Sequence, residues 1–138
     1  MQKPQAHIRI DFSESCALGP GKIVLLETIE RTGSLSSAAR ALGMSYRRAW
    51  LLLHSVNTGF TEAAVALSVG GRDGGGARLT AFGRQLVDTY RSLETAVDAL
   101  TIKAFSGVRP SRTPAGDSGD TRRALRRAVA VPIPKRGP

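Results

Sequence analysis

Cysteine is almost missing from this sequence: its 138 residues hold one, Cys16. An internal disulfide is therefore excluded, and a reducing cytoplasm is the expected compartment. Histidine is scarce as well. His7 and His54 stand far apart with no clustered ligands, Cys16 has no evident base, and Asp11, Glu14 and Glu62 are scattered. No metal site or nucleophile–base pair follows from such a distribution, so neither an enzyme nor a bound cofactor is expected. A run of about 18 apolar residues is lacking, as is a charged-then-apolar leader, so neither membrane insertion nor export is expected.

Acidic residues are the other shortage. Eleven Asp and Glu face twenty Lys and Arg, a net charge of +9 that favours a polyanionic partner. The excess is uneven. Residues 106–138 hold eight basic and two acidic side chains, net +6, which leaves residues 1–105 with twelve against nine, net +3. Five of the seven prolines also fall after Ser106, so residues 106–138 read as a disordered basic tail that adds phosphate affinity. Residues 1–105 read as the folded domain, and a binding site within them must rest on where its charges are placed.

What is there is a succession of short periodic segments. In "HIRIDF", Ile8, Ile10 and Phe12 alternate with polar residues as in a half-buried strand. A helix follows from Pro20, with Ile23, Leu26 and Ile29 on one face and Gly33 placed to end it in a left-handed conformation. Ser34 offers an N-cap to a second, short helix bearing Leu35, Ala38, Ala39 and Leu42. Gly43 and Met44 make a turn, and Ser45 can cap a third helix of about a dozen residues. Helix, glycine turn, helix is the helix-turn-helix pattern.

At 100° per residue, Tyr46 shares a face with Ala49, Trp50, Leu53, Val56 and Asn57, so Tyr46 and Trp50 are expected at the core or its edge in preference to stacking on bases, whereas Arg47, Arg48, Leu51 and Ser55 point away. Leu51 and Leu52 then face outward, to meet thymine methyl groups or to cover a neighbouring element. Beyond Asn57, Val65, Leu67 and Val69 alternate, "GGRDGGG" turns the chain and "ARLT" returns: a β-hairpin with Arg72 at its tip and Arg78 on the returning strand. The glycines do not form a phosphate loop, because Gly76 is followed by Ala77 and Arg78 instead of Lys and Ser or Thr. Thr80 can cap a last helix over about residues 80–105. Its stripe of Phe82, Leu86, Tyr90, Leu93, Val97, Leu100 and Ala104 outruns so small a domain, so Leu86, Tyr90, Leu93, Val97 and Leu100 are expected to meet a second copy.

The second helix of a helix-turn-helix sets its first residues against base edges in the major groove. Arg47 and Arg48 stand at that place, where a guanidinium pairs with guanine O6 and N7, while Ser36, Ser37 and Ser45 are candidates for phosphates. The expected fold is mainly α with a small β component: a winged helix-turn-helix with a long C-terminal dimerisation helix. The expected function is sequence-specific binding of double-stranded DNA by a homodimer on a palindromic operator, repression being the simplest outcome. The alternative is a protein- or RNA-interaction module that uses the wing and the basic tail.

The stretches "GSLSSAARALGMSYRRAW" and "GGRDGGGARLTAFGRQLVDTY" resemble the N-terminal winged helix-turn-helix domain of the ModE-type, molybdate-responsive transcriptional regulators, which is similar to the DNA-binding unit of LysR-type regulators. The resemblance covers about residues 18–105. It implies a dimeric regulator with DNA contacts at Ser36, Ser37, Ser45, Tyr46, Arg47, Arg48, Arg72 and Arg78. Full-length members carry C-terminal oxyanion-binding β-barrels, which the Pro- and Arg-rich sequence after Phe105 cannot build, so molybdate binding within this chain is not expected.

Overall fold

A computed structural model describes residues 3–69 and 75–111. Arg72, and all of the expected tail beyond residue 111, lie outside the described residues. Two strands open the fold, β1 (Ile10–Ser13) and β2 (Cys16–Leu18), paired antiparallel with Ile10 opposite Leu18 and a shift of register between Asp11 and Ser13. The expected strand from His7 is thus shorter, because Ile8 serves elsewhere, and β2 has no period long enough to be seen in advance. Phe12 is exposed, not half-buried, and meets Phe60 edge-on at 5.2 Å; Phe60 in turn meets Phe82.

Helix α1 (Pro20–Thr32) is the centre of the packing: Ile23, Leu25, Leu26 and Ile29 are wholly buried. Proline starts it with a preset φ, and Gly33, at φ 80°, closes it by donating its N–H to Ile29 O at 2.8 Å. Helix α2 (Leu35–Ala41) begins where Ser34 Oγ accepts the Ser37 N–H at 3.1 Å. A turn with Gly43 at φ 65° leads to α3 (Tyr46–Gly59), whose first turn is capped by Ser45 Oγ accepting the Arg48 N–H at 3.1 Å. Ala38, Ala39 and Ala49 are all buried, so the two helices of the motif approach over methyl groups.

Strands β3 (Val65–Leu67) and β4 (Ala77–Leu79) form the expected hairpin, with Ala66 opposite Arg78. Asn57 pins it to α3: Oδ1 accepts the N–H groups of Ala64 and Val65, and Nδ2 donates to Val65 O at 3.1 Å. The hairpin base is tied to the start of the helix-turn-helix as well, since Ala77 N–H donates to Gly33 O at 2.8 Å. Thr80 then caps α4 (Ala81–Ala104), its hydroxyl accepting the Gly83 N–H and donating to Ala63 O. Gly83 is obligatory here, because a Cβ would lie 2.0 Å from Ala64 O.

The first half of α4 packs on the core through Gly83, Val87 and Tyr90. Arg91 ties it to α1 by hydrogen bonds to Glu27 and holds Glu94 at 2.7 Å, contacts that raise the guanidinium pKa and keep it charged. The N-terminal segment lies along the same helix, where Asp98 Oδ1 accepts the Ala6 N–H at 3.0 Å. The second half is largely bare of apolar cover: Leu93, Leu100 and Ile102 are exposed, as is Phe105 just beyond its end. The whole is mainly helical with two small sheets, as a winged helix requires. No helix among the described residues is long and apolar enough to cross a membrane.

Candidate nucleic-acid interface

Helix α3 turns Ala49, Leu53 and Val56 inward, and its buried side is centred on those three residues. Arg47, Leu51, His54 and Thr58, spaced by 4, 3 and 4, therefore share the opposite, exposed face. Arg48 is exposed beside them. The Ser45 cap fixes where this face begins; its oxygen accepts the Arg48 N–H while its hydroxyl hydrogen is free to turn toward an anion. An exposed helix N-terminus with two guanidinium groups is suited to holding a phosphate and presenting a donor fork to a base.

Two expectations for this helix are corrected. Of the two places expected for Tyr46 and Trp50, the core is ruled out, since they are 57% and 43% exposed, respectively. The inward side is centred on Ala49 and Val56, which turns both rings past the edge of the buried stripe. Trp50 stacks flat on His54, with ring centroids 4.8 Å apart and planes 9° from parallel. Leu52, expected outward, is partly buried against the core, whereas Leu51 does point out and is 51% exposed.

The serines of α2 fall in a common place. Ser36 is exposed and Ser37 half-buried, and both line an open polar cleft of about 510 Å³ with Ser34, Arg40, Gly75 and Gly76. The cleft joins α2 to the base of the wing, and the Ala77–Gly33 hydrogen bond holds its two walls together. Arg40 was not anticipated from the sequence. The signal was available, since Arg40 lies four residues after Ser36 and three after Ser37, on their side of the helix. Arg78 is exposed on β4.

The basic residues divide into two sets. Arg84 and Arg91 are held by carboxylates of α1, and Lys22 Nζ donates to Ala17 O and Ser55 Oγ, so these charges tie elements together, while Arg9 pairs with Asp11 two residues away. Lys3, Arg31, Arg40, Arg47, Arg48, Arg78, Lys103 and Arg109 have no carboxylate partner among the described residues. Four of these, Arg40, Arg47, Arg48 and Arg78, lie on α2, α3 and the wing, the elements that a winged helix turns toward DNA. No group of three or more His, Cys, Asp and Glu that could hold a metal ion occurs among the described residues.

The residues expected to meet a second copy separate along α4. Tyr90 is a correction: it is 1% exposed and donates its hydroxyl to Ile8 O at 2.8 Å, so it belongs to the core of its own chain. Burial and the neighbouring Glu94 raise its pKa, against the pull of Arg91. Leu86 is partly buried against the same core, and Val97 is half-buried. Leu93 and Leu100 are left facing out.

No protein-family model matches the chain. Among curated proteins it is 40% identical over 100 residues to the molybdenum transport protein ModE of Azotobacter vinelandii, a match covering 70% of this chain and 37% of that protein. The transcriptional regulator ModE of Yersinia pestis is 38% identical over 95 residues, covering 69% and 35% respectively. The DNA-binding transcriptional dual regulator ModE of Escherichia coli K12 is 38% identical over 86 residues, covering 59% and 33%. The chain spans about a third of the length of these relatives, and the resemblance carried by its motifs is to ModE-type regulators.

Proposed function

We propose that this chain is a sequence-specific DNA-binding unit of a transcriptional regulator, with α3 in the major groove and the wing on the adjoining backbone. The observation that carries this reading is the first turn of α3. Arg47 and Arg48 project from it without carboxylate partners among the described residues, on a helix whose start is fixed by the Ser45 cap. Arginines of the bracing set, such as Arg91, could not be diverted to DNA without releasing a carboxylate; these two are free to bind. The names of the Yersinia pestis and Escherichia coli relatives point the same way.

Ser36, Ser37 and Arg40 supply phosphate contacts that set the register of α3 without reading bases. Leu93 and Leu100 give the unit an apolar seam for a second copy, and a two-fold dimer would present its recognition helices to half-sites about 34 Å apart. A palindromic operator follows from that symmetry. Repression is the simplest mechanism, because occupancy alone blocks polymerase, whereas activation also needs a contact with it.

The test is selection of bound duplexes from a random-sequence pool at about 0.15 M salt, a condition that weakens phosphate-only binding. Wild type should enrich one motif, arranged as an inverted repeat, and the Arg47→Ala, Arg48→Ala double variant should not. Equal enrichment by both proteins would remove α3 from base recognition.

A further inference from the structure

Three leucines follow one another in α3, and the fold treats them differently. Leu53 is buried, Leu52 is partly buried against the core, and Leu51 is 51% exposed on the outward face, one turn beyond Arg47. Its apolar neighbour Trp50 is already engaged, with one ring face lying flat on His54. Leu51 is thus the aliphatic side chain presented at the centre of a face otherwise made of Arg47, His54 and Thr58.

We infer that Leu51 reads the 5-methyl group of a thymine in the major groove. The inference rests on the proposal that α3 lies in that groove. Base edges there offer hydrogen-bond donors, acceptors and a single kind of apolar group, the thymine methyl. A leucine pressed against a donor or acceptor would strip its water and return no hydrogen bond, which penalises the other base pairs. Against a methyl group it removes apolar surface from water on both sides. The charges around it fix the site: Arg47 and Arg48 hold the helix N-terminus to the duplex, so Leu51 cannot slide off the floor of the groove. Four residues along a helix span about 6 Å, and base pairs rise about 3.4 Å, so this thymine lies about two steps from the base pair that Arg47 contacts.

The experiment replaces single thymines of the enriched motif by uracil, which deletes only the methyl group, and compares dissociation constants for wild type and Leu51→Ala. At one thymine per half-site, about two steps from the Arg47 contact, uracil should weaken wild-type binding about four-fold, the worth of one methyl group leaving water. Leu51→Ala should bind the thymine and uracil duplexes equally and keep the preference that depends on Arg47. If uracil is neutral at every position, or Leu51→Ala retains the wild-type ratio, the assignment of Leu51 is overturned while α3 remains the reading helix. If wild type enriches no motif at all, the proposed function falls and takes this inference with it.

Discussion

Helices α1 and α3 are nearly the same length, 13 and 14 residues, and both carry several large apolar side chains, yet they use them in opposite ways. α1 sends Ile23, Leu25, Leu26 and Ile29 wholly inside, across an arc of about 160°, as befits a helix with neighbours on several sides. α3 buries only Ala49, Leu53 and Val56 and leaves Tyr46, Trp50 and Leu51 in solvent. Burial accounts for the large apolar side chains of α1 except Val24, which is 36% exposed. In α3 it accounts for half, and the remainder is explained by a surface that meets something else.

The contrast is sharpest where one chemical change is made in each helix. Leu26→Ala should cost about 2–5 kcal/mol of stability, the range for emptying a leucine site in a packed core, read as a lower urea midpoint. Next in size, Arg47→Ala with Arg48→Ala should reduce discrimination between the selected motif and random DNA by about 1–3 kcal/mol per lost bidentate contact, with the thermal midpoint unmoved. A large drop in that midpoint would mean that the arginines support the fold and would break the comparison.

The cap lies between these extremes, because it serves both ends. Ser45→Ala should cost about 1 kcal/mol of stability by releasing the Arg48 N–H. Ser45→Asp should restore the cap in thermal unfolding and still bind DNA less tightly, since a carboxylate beside the phosphates repels them. If both variants bind DNA like wild type, Ser45 only caps. Smallest of all, Leu51→Ala should shift stability by no more than about 0.5 kcal/mol, as expected for an exposed position. A loss of 2 kcal/mol or more would show that Leu51 packs on its own chain.

Features that depend on local backbone chemistry were legible in the sequence: the left-handed stop at Gly33, the hydroxyl caps at Ser34, Ser45 and Thr80, the turn at Gly43 and the hairpin returning through Ala77–Leu79. Each is set by a residue and its neighbours a few positions away. Features decided by the direction from which a third element arrives were not. Tyr46 and Trp50 lie beside the buried stripe of α3, and where that stripe is centred depends on how α2 and the strands close over it. Tyr90 sat on the expected seam of α4, but its hydroxyl found Ile8 O, 82 positions earlier in the chain. Of the candidate site, the placement of Arg47, Arg48, Leu51 and Arg78 on exposed surfaces was foreseen, and the cleft that gathers Ser36, Ser37 and Arg40 against Gly75 and Gly76 was not.

The bond from Ala77 N–H to Gly33 O has a consequence for inheritance. Because both of its atoms belong to the main chain, substituting the Ala77 side chain leaves donor and acceptor in place, and only proline at position 77 deletes the donor, while the acceptor side needs a residue that holds the left-handed φ of Gly33. The wing can therefore exchange its side chains for others while this attachment to the helices stays in place.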